Sequence, residues 1–126
     1  MSQQYGYIPA RADVLWIDFD PTRGHEQANE RPAVVISTTA FNHGSSRLVV
    51  VLPMTTRARG IPLHIQVQPP EGGLRSVSYV LCDQIRTIDI SPETGRLKDR
   101  RGALEAQTMA QIDFTVRTIL GLELPE

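Results

Sequence analysis

The chain has 126 residues, of which 40% are apolar and 21% charged, with a formal net charge of −1 and one cysteine. That length fits one domain, residues 1–126, with a core of its own, and the composition excludes wholesale disorder. The lone Cys82 excludes an internal disulfide, His25, His43 and His64 lie too far apart for a zinc set, and no apolar run approaches the ~18 residues of a membrane helix. With no basic-then-apolar leader at the start, the expectation is a soluble cytoplasmic protein without a metal or other cofactor.

Residues 1–12 read as a short lead. Residues 13–19 (DVLWIDF) form the first expected strand, with Trp16 a core or interface aromatic. Residues 20–24 are turn chemistry: Pro21 presets φ and Gly24 accepts a positive φ. The long polar loop that follows carries Arg23, His25, Glu26, Gln27, Asn29, Glu30 and Arg31. A polar loop pinned by strands at both ends is where a small β protein places its chemistry. Arg31 and Pro32 lead into a second strand at 33–37, and 38–46 is a polar connection.

Residues 47–52 (RLVVVL) are a β-branched third strand that Pro53 should end. Residues 54–60 (MTTRARG) make a second polar loop. The alternating stretch 63–67 reads as a half-buried strand, 69–73 (PPEGG) as a hairpin turn, and 76–81 and 85–90 as two further strands. Residues 92–95 turn the chain, and 96–101 (RLKDRR) are a short polar strand or a loop. From 103 to 120 the apolar residues Leu104, Met109, Ile112, Val116, Ile119 and Leu120 recur at helical spacing, with Gly121 as the stop. The class is therefore mainly β with a terminal α: six or seven short strands in a small curled antiparallel sheet or barrel, capped by one helix, with loops clustered at a rim.

Charge is unevenly placed. Residues 1–30 hold two arginines against five acids, whereas 31–70 hold Arg31, Arg47, Arg57 and Arg59 and no acid. Such a window is a candidate anion-binding surface. Twelve of the thirteen basic residues are arginine, whose fork matches phosphate oxygens; a GC-rich genome produces the same bias. Glu26 and Arg31 could divide the work of phosphodiester cleavage, one moving a proton and the other neutralising charge on phosphorus, or form a plain loop salt bridge. Thr55 and Thr56, with Arg57 and Arg59, suit a phosphate, or an ordinary turn with local hydroxyl bonds. Among the histidines only His25, beside Glu26, is a plausible participant. Cys82 follows an apolar run and reads as a small buried residue. Asp83 caps or turns a strand end, and Gln84 either reads a base edge or satisfies backbone.

Four segments, in order, resemble the MazF/PemK family of toxin endoribonucleases: DFDPTRGHEQ (18–27), RPAVVI (31–36), PMTT (53–56) and DQIRTID (83–89); ILGL at 119–122 is similar to the family's end. The resemblance implies an SH3-like barrel, a homodimer, and cleavage of single-stranded RNA at short motifs without a metal ion, by 2′-hydroxyl attack that leaves a 2′,3′-cyclic phosphate and a 5′-hydroxyl. It puts the family's arginine on Arg31, its threonine on Thr55 and its glutamate on Glu26. Gln27 and Gln84 fall near the substrate or dimer groove, and His25, Thr56, Arg57, Arg59 and Arg86 complete the RNA-binding candidates. A MazE-type antitoxin with a disordered acidic-apolar tail is the implied partner. His25 stands where serine is expected, leaving Glu26 and His25 both open as the general base. The 68–78 turn is longer than the family's and bears on sequence preference. Two other readings use the same fold: a CcdB-like gyrase-binding toxin that cleaves nothing, and a non-catalytic SH3-like binding module.

Overall fold

The structure is a computed structural model that describes residues 7–20 and 29–122. Seven strands pair antiparallel: β1 (Asp13–Asp18), β2 (Glu30–Val35), β3 (Leu48–Thr55), β4 (His64–Val67), β5 (Ser78–Leu81), β6 (Arg86–Asp89) and β7 (Leu97–Ala103). Their order is β4-β5-β3-β2-β1-β7, with β6 also on β3. A short helix, α1 (Thr39–Asn42), follows β2, and α2 (Ala106–Leu120) closes the chain.

β3 organises the sheet. One edge pairs with β2, while the other pairs first with β6, through Leu48 to Val51, and then with β5, through Met54 and Thr55. Changing partner along one edge curls the sheet, so that both faces of its middle strands are covered. Val14, Val34, Leu52 and Met54 are buried in one core with Met109 and Ile112 of α2. Their neighbours Leu15, Ala33, Val35 and Val51 are buried in a second core with Ile88. Period-two alternation between two cores explains why these strands read as unbroken apolar runs.

Pro53 does not end β3, as expected from its missing N–H; the strand runs on to Thr55. Odd-numbered residues of β3 point their backbone groups at β6, since the Ile90 N–H donates to the Arg47 carbonyl at 2.9 Å. Pro53 therefore falls in the gap where β6 has left and β5 has only begun, and it breaks no ladder bond.

The barrel is open. No ladder joins β4 to β7 among the described residues, and the 3₁₀ turn Glu71–Gly73 packs against β7 across that gap. The approach is backbone to backbone: a Cβ on Gly102 would lie 2.6 Å from the Gly72 carbonyl carbon, and one on Gly73 2.0 Å from the Arg101 oxygen.

One element lies outside the expected outline, and one open reading is resolved. α1 lies inside the polar connection, where the Thr38 hydroxyl accepts from the Phe41 N–H at 3.3 Å as its N-cap. The stretch at 96–101, expected as a strand or a loop, is strand from Leu97 onward, in the seven-residue β7 that pairs with β1. α2 ends as expected, with Gly121 at φ 70 and the Leu122 N–H on the Arg117 carbonyl at 3.0 Å. No helix among the described residues is long and apolar enough to cross a membrane.

Candidate active site

The site begins with a ladder that stops early. The Ile36 N–H donates to the Val50 carbonyl at 2.9 Å, so even-numbered residues of β2 face β3. The next positions in that series are Val34, paired with Leu52, and then Pro32, opposite Met54 in the same register. Proline has no N–H to give, and the β2–β3 pairing ends at Ala33 and Pro53. Both strands continue past this point. β2 extends back to Glu30, held by β1 through the pairs Trp16–Pro32, Ile17–Arg31 and Asp18–Glu30. β3 extends to Thr55, held by β5 through Thr55–Tyr79.

Between these ends lies a cleft of about 450 Å³. Carrying the Ala33–Pro53 register two residues further brings Arg31 level with Thr55, and both line the cleft. Thr56, Arg57 and Arg59 line it as well, with Trp16, Glu30, Pro32, Met54 and Ser78. Arg31 was expected on a loop but stands in a strand, because β1 pairs with this segment before β3 does. Strand placement makes it a more rigid support than a loop.

The Thr55 hydroxyl accepts a bond from the Arg57 N–H at 3.2 Å, which fixes the turn and leaves the hydroxyl hydrogen directed elsewhere. Burial lowers the Arg31 pKa from the usual arginine value, and the Asp20 charge opposes that shift; the guanidinium remains a cation at neutral pH. Three arginines and two threonine hydroxyls thus converge on one concavity, an arrangement suited to a phosphodiester.

Glu26, Gln27 and His25 lie outside the described residues. The described ends of their segment are pinned beside the cleft. The Asp20 carboxylate accepts from the Asn29 N–H at 2.9 Å, and the Phe19 N–H donates to the Asn29 carbonyl at 3.1 Å. Asn29 has a φ of 68, a left-handed conformation that asparagine tolerates.

Gln84 and Arg86 are not among the cleft's lining residues. Gln84 sits in the turn after β5, its N–H on the Leu81 carbonyl at 3.0 Å. Arg86 is on β6, its guanidinium 5.4 Å from the centre of the Phe19 ring. His64 is structural in its setting: only 5% of its side chain is exposed, and its Nε2 lies 3.2 Å from Asp83. Cys82 is fully buried, and burial followed by the Asp83 charge pushes its thiol up to about 12, which leaves it unreactive. No group of three or more His, Cys, Asp or Glu among the described residues is placed to hold a metal.

Sequence reasoning missed three participants. Trp16 is half-buried within β1, and Glu30 accepts from its indole N–H at 3.0 Å. Pro32 ends the ladder. Asp20 is the acid that acts on Arg31. The turn run DPT drew attention to Asp20 as a turn former only; its charge partner lies across the loop and has no local signature.

Residues 10–120 match the family described as PemK-like, MazF-like toxin of type II toxin–antitoxin system. The chain is 30% identical over 115 residues to the endoribonuclease toxin MazF of Escherichia coli strain K12, covering 91% of this chain and 96% of that protein. Its fold superposes on MazF from Deinococcus radiodurans with a TM-score of 0.79 at 30% identity, covering 92% of this chain and 99% of the other. A mycobacterial endoribonuclease in complex with its cognate antitoxin gives a TM-score of 0.72 at 28% identity, over 93% and 99% of the two chains.

Proposed function

The chain belongs to the PemK-like, MazF-like toxins of type II toxin–antitoxin systems, and we propose that it is an endoribonuclease that cuts single-stranded RNA in the cleft between β2 and β3. The observation that carries this reading is the register that sets Arg31 level with Thr55 on the two walls of one cleft.

Cleavage then proceeds by attack of the 2′-oxygen on the adjacent phosphorus. The new P–O2′ bond forms as the P–O5′ bond breaks, giving a 2′,3′-cyclic phosphate and a 5′-hydroxyl, with no metal ion required. Glu26 or His25 takes the 2′-hydroxyl proton, and water supplies the proton that the departing 5′-oxygen takes up as it becomes a hydroxyl. Arg31 neutralises the charge that grows on the phosphate and the leaving oxygen. Thr55 donates its hydroxyl hydrogen to a phosphoryl oxygen, and Thr56, Arg57 and Arg59 hold the flanking backbone. Gln27, Gln84 and Arg86 contact RNA beyond the cleft.

The protein works in the cytoplasm as a homodimer silenced by a MazE-type antitoxin. Support for a partner comes from the relatives solved with antitoxins; Phe114 and Leu120 of α2 and Leu122 after it are also exposed apolar side chains. Incubating the purified protein with a long transcript in EDTA tests the activity. Fragments carrying 2′,3′-cyclic phosphate and 5′-hydroxyl ends are expected at a short recurrent motif. Intact RNA, or cutting that requires an added divalent ion, would refute the proposal.

A further inference from the structure

The cleft does not stop at Trp16. A second cleft of about 250 Å³ shares Trp16, Pro32, Thr56 and Ser78 with the first and continues to Leu74, Arg75, Ser76 and Arg101. Its far wall is built by two features that the cleavage chemistry does not use.

One is a bulge in β7. Gly102 pairs with Val14 and Arg100 with Leu15, so Arg101 is the extra residue between them. A bulge re-aims the side chain it carries, and here the Arg101 guanidinium lies over the Trp16 ring, 4.5 Å from its centre. The ring is also tied at its edge, the indole N–H donating to Glu30 at 3.0 Å. The other feature is the turn at 68–78, which seats Leu74, Arg75 and Ser76 beside the ring through the glycine contact with β7.

We propose that this second cleft is a base-binding subsite that takes the nucleobase next to the scissile phosphate, a reading that rests on the RNA-cutting function above. Arg101 is paired with Asp99 at 2.7 Å, which mutes its field as a phosphate site. What remains is a flat surface of indole and guanidinium, on which an unpaired base stacks. Leu74 and Pro32 give the base an apolar seat. Arg75 supplies donors to its edge, and Ser76 both a donor and an acceptor. The turn at 68–78 thereby acts as a specificity element for one position of the cut motif.

The test uses the full chain. Cut sites are first mapped on a long transcript. Oligonucleotides spanning the motif, made uncleavable by a 2′-deoxy sugar at the cut, are then measured by fluorescence anisotropy with an abasic residue at each flanking position in turn. In the wild type, one position should lose about tenfold in affinity when its base is removed. In Arg101→Ala and in Trp16→Leu that abasic penalty should vanish, and base preference at the same position of the transcript map should broaden. Arg101 is at the surface, so its variant carries the test even if Trp16→Leu does not fold. A wild type that cuts and binds RNA while Arg101→Ala retains both the penalty and the map overturns the subsite alone. A wild type that neither cuts nor binds RNA overturns the parent reading and this one together.

Discussion

Arg31 is the residue on which the chemistry turns, and three local facts set its value. It stands in a strand paired to Ile17, burial draws it out of water enough to lower its pKa, and the Asp20 charge works against that shift. A preorganised donor in such a setting is worth roughly 3–4 kcal/mol of transition-state stabilisation. Arg31→Ala should therefore slow single-turnover cleavage of an RNA oligonucleotide by roughly 10²–10³-fold, with the fold intact by circular dichroism. Arg31→Lys should recover only part of the loss, because an ammonium is a point charge and cannot offer the guanidinium's fork. Parent-like rates in Arg31→Ala would remove this residue from the mechanism. The pairing of Arg31 with Thr55 was half legible beforehand. The Arg-Pro and Thr-Thr motifs are local, and each announces itself. That they meet depends on the β2–β3 register, which the sequence alone does not display.

At the scale of elements, the open barrel depends on how closely the turn Glu71–Gly73 approaches β7. Gly102 permits that contact because it has no Cβ: one added there would sit 2.6 Å from one backbone atom and 2.8 Å from another. Backbone on both sides cannot rotate away as a side chain would. Gly102→Ala should cost about 2–3 kcal/mol by overpacking, read as a lower urea midpoint with an unchanged slope. A midpoint equal to the parent's would show that the turn is not held by this contact. This part of the fold was poorly legible. PPEGG announced a turn, but nothing in it named β7 as the surface beneath. The polar run at 96–101 reads equally as strand or loop because its bulges at Lys98 and Arg101 interrupt the alternation. Strands buried on both faces, such as those around Val34 and Val51, were easy to see because apolar runs this dense have few other homes. Pro53 misled, since a proline inside β3 becomes acceptable only once β6 is known to leave at Val51.

For the whole molecule, a net charge of −1 gives no general attraction to RNA, so affinity must come from where the charges sit. The acid-free window from 31 to 70 reads as one basic surface, yet the fold divides it. Arg31, Arg57 and Arg59 reach the same cleft, while Arg47 precedes the opposite end of β3, near Asp89, whose carboxyl pKa is lowered first by hydrogen bonds with Ser91 and then by the Arg47 charge. Three cations at one site, rather than four spread over a face, set the expected salt response. For a single strand, the slope of log affinity against log salt is about −0.7 per neutralised phosphate. The three phosphate contacts inside the cleft by themselves give a slope near −2, so an uncleavable oligonucleotide confined to the cleft should bind roughly 20-fold more weakly at 200 than at 50 mM salt. Arg57→Ala or Arg59→Ala should each make the slope shallower by about 0.7, whereas Arg47→Ala should leave it as it was. A slope that Arg47→Ala changes as much as Arg57→Ala does would mean that RNA runs across the face of the sheet and not through the cleft.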